Sequence, residues 1–156
     1  MPIRGMDKVK KALNESSDRL NSDLREVYMW GLGEIVDVAP VHFKDGGRLK
    51  NNFFLTQKTP SSRTTDTASE AGSNSHSQIT KMPKDVLNKT IYFTNNLPYA
   101  NLVEYGGYPL KRVQGGGTYI GNGKRQYLSQ GGYSQQAPEG MVRVNIKRMQ
   151  ARIRKL

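Results

Sequence analysis

Pro98-Tyr99-Ala100-Asn101-Leu102-Val103-Glu104-Tyr105-Gly106-Gly107 is the stretch on which the reading of this chain turns. Tyr99, Leu102, Val103 and Tyr105 fall at mixed helical spacings behind a proline that suits a helix start, and the glycine pair stops the turn. The spacing predicts a short docked helix from Tyr99 to Gly106. Val103 and Tyr105 are expected to pack against a sheet, and Glu104 to cap local backbone donors or pair with a basic residue. Upstream, Ala39-Pro40-Val41 closes a long helical pattern, and Asp45-Gly46-Gly47-Arg48-Leu49 turns the chain toward the apolar run Phe53-Phe54-Leu55, which reads as a strand. Together these segments outline a small α+β domain.

Before Pro40, Val9, Leu13, Leu20, Leu24, Val27, Ile35 and Val38 recur at steps that mark the stripe of an amphipathic helix. One helix from about Asp7 to Asp37 would be about 45 Å long, more than a domain of this size needs for its own core. Ser16-Ser17-Asp18 is a candidate interruption, because these side chains compete for backbone hydrogen bonds. The stripe reads as an ordinary core helix rather than a coiled coil, since Gly31 and Gly33 weaken its second half.

Beyond the first strand, Lys58 to Lys81 is mostly small and polar, with no large apolar residue before Ile79. Such a segment cannot bury enough surface to offset its ordering entropy. It is expected to be a long hairpin loop that reaches onto a neighbouring subunit and is ordered by it. Val86, Leu87, Ile91, Tyr92 and Phe93 give a second strand, placed to pair with the first. Residues 111–136 form a Gly- and Tyr-rich insertion, in which Gly121-Asn122-Gly123 is a hairpin signal. A last helix follows Ala137-Pro138-Glu139-Gly140, with Pro138 in its first turn and Val142, Ile146, Met149 and Ile153 along one stripe.

A chain of 156 residues without internal repetition reads as one domain, and an apolar fraction of only 35% leaves many residues outside its core. There is no cysteine, which removes disulfides, thiolate catalysis and cysteine-ligated zinc. No stretch is apolar for long enough to cross a bilayer and the first residues lack a signal-peptide core, so the expected product is a cytoplasmically made, soluble one with no membrane partner. The net charge of +11 is uneven: residues 1–39, 40–110 and 111–156 carry −1, +3 and +9. A basic end of this kind suits nucleic-acid phosphates or an acidic protein surface. Arg143, Lys147, Arg148, Arg152 and Arg154 are its candidate partner-binding residues.

Chemistry finds little footing. Thr118 and Arg125 stand where a Walker A loop needs other residues around Gly123-Lys124, and no GxGxxG spacing occurs. His42 and His76 lack the companions that a metal site needs. Nothing in sequence pairs Asp45 or Glu104 as acid and base. Neither an enzyme nor a cofactor is expected.

The order of a long N-terminal helix, Pro40-Val41 with Gly47-Arg48-Leu49, Tyr99-Ala100 with Val103-Glu104-Tyr105-Gly106, and Ala137-Pro138-Glu139-Gly140-Met141 before a last helix resembles the tail-component family of long-tailed phages, the minor tail protein Z or tail completion type. The resemblance spans nearly the whole chain. Family members usually place Asp-Thr-Gly directly after Pro-Val, whereas His42-Phe43-Lys44-Asp45-Gly46 intervenes here. The resemblance implies a virion protein of the neck or upper tail that acts in tail completion and head-tail joining. Its partners would be further copies of itself in a closed ring, sixfold or twelvefold, and the connector, terminator or tube proteins beside it, with DNA only passing through the lumen. Pro40, Gly47, Leu49, Tyr99, Val103, Glu104, Tyr105, Gly106 and Pro138 would be its structural motif. The alternative is a nucleic-acid-binding module built on the basic last helix, although Val142 to Leu156 contains no aromatic residue for base stacking.

Overall fold

The computed structural model describes residues 5–41, 46–106, 118–120, 124–126, 137 and 139–156, with only the backbone of 118–120 and 124–126. Its first element, α1 (Met6–Val38), is one uninterrupted helix of 33 residues. The Ser16-Ser17-Asp18 cluster does not break it, because the helix is held from its middle onward by packing. Asn21 and Arg25 pin the segment that runs alongside: Asn21 Oδ1 accepts from the Val86 N–H at 2.7 Å, and Arg25 Nε donates to the Pro83 carbonyl at 3.1 Å. Ala39 then takes an extended conformation, as a residue before proline must, and ends the helix.

The second half of α1 supplies one wall of the core. Leu32, Ile35 and Val36 pack with Leu49, Phe53, Leu55, Ile79, Met82, Val86, Leu97, Val103 and Met141. Behind that wall, β1 (Phe54–Thr56) and β2 (Tyr92–Thr94) form an antiparallel pair with Leu55 opposite Phe93, and the Phe53 and Phe93 rings stack at 5.0 Å. The fold is α+β, with a small antiparallel sheet as its composition and periodicity require. The second strand is shorter than expected. Val86 and Leu87 lie in a turn, because their N–H groups bond to Asn21 rather than to a strand, and Asn88 has a positive φ.

The segment from Lys58 to Lys81 departs most from expectation. It is not an extended hairpin, since it contains the helix α2 (Ser73–Ile79), which buries Ser75, Gln78 and Ile79. Its ordering comes from its own chain. Asn52 is fully buried, donates to the carbonyls of Arg48 and Thr65 at 2.8 and 2.9 Å, and accepts from the Thr65 N–H at 2.7 Å. Asn51 does the same for Thr67 and Asn74, and Asn96 holds the carbonyls of Ser61 and Arg63. Side-chain amides thus supply the partners that a neighbouring strand would otherwise give to this polar backbone. The segment also passes so close to Gly47, which has φ +87°, that a Cβ there would meet the Ser69 carbonyl oxygen at 2.5 Å.

The short helix α3 (Ala100–Tyr105) follows, with Gly106 at φ 77° closing it. The backbones of β3 (Thr118–Ile120) and β4 (Lys124–Gln126) pair antiparallel on either side of Gly121-Asn122-Gly123. The rest of the 111–136 insertion, together with His42 and Pro138, lies outside the described residues. The last helix, α4 (Val142–Ile153), crosses α1 at Gly31, where a Cβ would overlap the Met149 side chain. The glycine that weakens α1 as an isolated helix is therefore the one that lets α4 approach it.

Candidate assembly surfaces

The two motif segments meet at Glu104. This side chain, only 5% exposed, reaches from α3 to the first turn of α4. Its Oε2 accepts from the N–H groups of Met141 and Val142, both at 2.8 Å, and its Oε1 from the Arg143 N–H at 2.9 Å. Arg143 folds back, with Nε 3.2 Å from Oε1, Nη2 donating to the Glu104 carbonyl at 2.8 Å, and its guanidinium 5.5 Å from the Tyr105 ring centre. A carboxylate here satisfies three donors that a helix start leaves open and faces the positive end of the α4 dipole. No residue of α4's own N-terminus caps it. Gly140, at φ +78°, allows the approach, because a Cβ there would sit 2.7 Å from Oε1. Glu104 thus both caps backbone donors and pairs with a basic residue.

Around this junction, Val103, Leu49, Gly47 and Gly106 are buried and Pro40 is half-buried, whereas Tyr99 packs against the rim of the core. Tyr105 does not face the sheet. It is 63% exposed, since helical geometry turns it away from Val103, and Arg143 is what it meets. Glu104 therefore ties α3 to the start of α4, whereas Gly47 lies against the backbone at Ser69.

The cations of α4 divide into two groups. Arg143 serves Glu104, Arg148 reaches Asn145 at 3.2 Å and Glu34 at 3.9 Å, and the Arg152 guanidinium lies 3.4 Å from the centre of the Trp30 ring. Lys147 and Arg154 are exposed and meet no carboxylate among the described residues. Ile146 is 43% exposed instead of packed, because α4 crosses α1 where Met149 meets Gly31. The exposed part of α4 is a basic strip with Ile146 and Ala151 in it.

The feature that sequence periodicity did not separate from the core lies at the other end. Every residue of α1 from 6 to 20 is exposed, including Met6, Val9, Leu13 and Leu20. The stripe read as one core face therefore divides: its second half is buried and its first half projects. The signal was present in the helix length, about 50 Å for 33 residues.

Metal chemistry finds no donor cluster among the described residues. No group of three His, Asp or Glu residues could hold a metal ion there, and His76 forms a surface pair with Asp37, Nε2 to Oδ1 at 3.1 Å. No helix among them is long and apolar enough to cross a membrane. No known family model, curated protein or solved structure matches the chain.

Proposed function

We propose that this chain is a structural virion protein of a tailed phage, a ring-forming subunit of the neck or tail end that acts in tail completion and head-tail joining. The observation that carries the assembly part is the projecting half of α1. Fifteen consecutive helical residues, 6–20, are exposed with an apolar stripe along them. An isolated helix of that length is marginal in water, and contiguous apolar surface of this kind marks an interaction site. An arm that leaves its own domain to dock on the next copy is a heterologous contact, which closes into a ring when the rotation permits.

The phage assignment rests on the resemblance of the motif segments, and it gains support from their shared task. Tyr99 to Gly106 and Ala137 to Met141 are not separate signals, since Glu104 of the first organises the helix start that follows the second. A basic strip at Lys147 and Arg154 suits an acidic neighbour in the tail or neck. The alternative, nucleic-acid binding through α4, draws less support, because Arg143, Arg148 and Arg152 are engaged within the chain. Labelling with antibody against this chain tests the reading. Gold particles should decorate the head-tail joint or tail end of virions from the encoding phage, and virions without label would overturn it.

A further inference from the structure

We propose that the cleft between the end of β1 and the segment 58–63 binds the sugar-phosphate backbone of nucleic acid, a site separate from the basic strip of α4 and independent of the virion reading. The cleft has a volume of about 660 Å³ and draws cations from three places: Lys58 after β1, Arg63 beyond Pro60, and Lys81 after α2. No acidic residue among the described ones lines it. None of the three cations meets a carboxylate among the described residues, so their charges are uncompensated there.

Arg63 is fixed in advance. Its N–H donates to Ser61 Oγ at 3.1 Å, its carbonyl accepts from Asn96 Nδ2 at 3.0 Å, and its guanidinium lies 5.3 Å from the centre of the Phe54 ring. Stacking of this kind holds the plane of the guanidinium while leaving its N–H edge open to an oxygen ligand. The buried Asn51 and Asn52 side chains and the exposed Asn96 side chain hold the surrounding backbone, so the cleft forms without a ligand to order it.

Arginine, lysine and serine or threonine hydroxyls are the groups that contact phosphate oxygens. The hydroxyls of Thr59 and Ser62 on the cleft make no hydrogen bond among the described residues. Among the described residues no aromatic lines the cleft to stack a base, so the contact is to the backbone and does not depend on sequence. Three phosphate contacts correspond to a salt slope of about −2.7 and to an affinity about forty-fold lower at 200 mM than at 50 mM salt.

Fluorescence anisotropy of the full chain with a labelled 20-base-pair duplex, titrated across 50–200 mM salt, tests this. The combined variant Lys58→Gln/Arg63→Gln/Lys81→Gln should bind about ten-fold or more weakly at low salt and lose about three units of slope, whereas Lys147→Gln/Arg154→Gln should keep most of the affinity. Thermal melting of each variant verifies that these exposed positions leave the fold intact. Unchanged binding by the cleft variant overturns the proposal, as does loss of binding only in the α4 variant. Competition by poly-glutamate equal to that of polyphosphate at the same charge would assign the cleft to an acidic protein surface and overturn it too.

Discussion

Glu104 Oε2 lies 2.8 Å from the backbone nitrogen of Met141, so a carboxylate on a six-residue helix starts the helix whose N-cap stands 37 residues later. The contact explains why α4 can begin without a cap of its own and why its first turn turns back toward α3. It also places Glu104, the one buried acid among the described residues, opposite three backbone donors and a guanidinium, which together compensate its charge.

Replacement of Glu104 by Gln should therefore be costly despite its near-identical shape. The amide removes the charge and turns an NH2 group toward N–H donors that need an acceptor. A loss of about 2–3 kcal/mol is expected in urea denaturation, with amide exchange in α4 accelerated before the rest of the molecule. A variant with the wild-type midpoint would show that the carboxylate does not hold the two helices together.

Gly31 and Gly33 should respond in opposite directions to the same change. A methyl group at Gly31 overlaps Met149, so Gly31→Ala should lower stability by about 1–3 kcal/mol. Gly33 faces open space, and Gly33→Ala should raise stability by up to about 1 kcal/mol through helix propensity. Melting temperatures of the two variants decide this, and a shift of the same sign in both would mean that α4 does not cross α1 at Gly31.

The elements that periodicity governs were legible in the sequence. The long helix ends before Pro40, the first strand follows Gly46-Gly47, and helices run over Ala100–Tyr105, inside the expected Tyr99 to Gly106, and over Val142–Ile153. The segment from 58 to 81 was misread because composition measures apolar burial, whereas this backbone is held by side-chain amides of Asn51, Asn52 and Asn96, distant in sequence. Periodicity also could not show that the stripe of α1 is buried only beyond Leu20. Apolar spacing states which face is sticky, not what covers it. The joint at Glu104 needed three dimensions, although the sequence reading offered both of the roles it combines.

The asparagine network yields a prediction of its own. Asn52→Ala removes two donors and one acceptor from the backbone at Arg48 and Thr65. About 2 kcal/mol of stability should be lost, and the Thr65 amide should exchange much faster. In the wild-type monomer that amide should be protected. Fast exchange in both proteins would return the ordering of this segment to a neighbouring subunit.

The claim that α1 projects in order to dock on another copy is tested most directly by native mass measurement of the wild type beside Leu13→Glu/Leu20→Glu. Both positions are exposed, with Leu13 at 64%, so the substitutions should change the monomer's stability by no more than about 0.5 kcal/mol. The account predicts a wild-type mass of six or twelve chains and a monomer for the variant. A monomeric wild type, or a ring unaffected by the two glutamates, would contradict it.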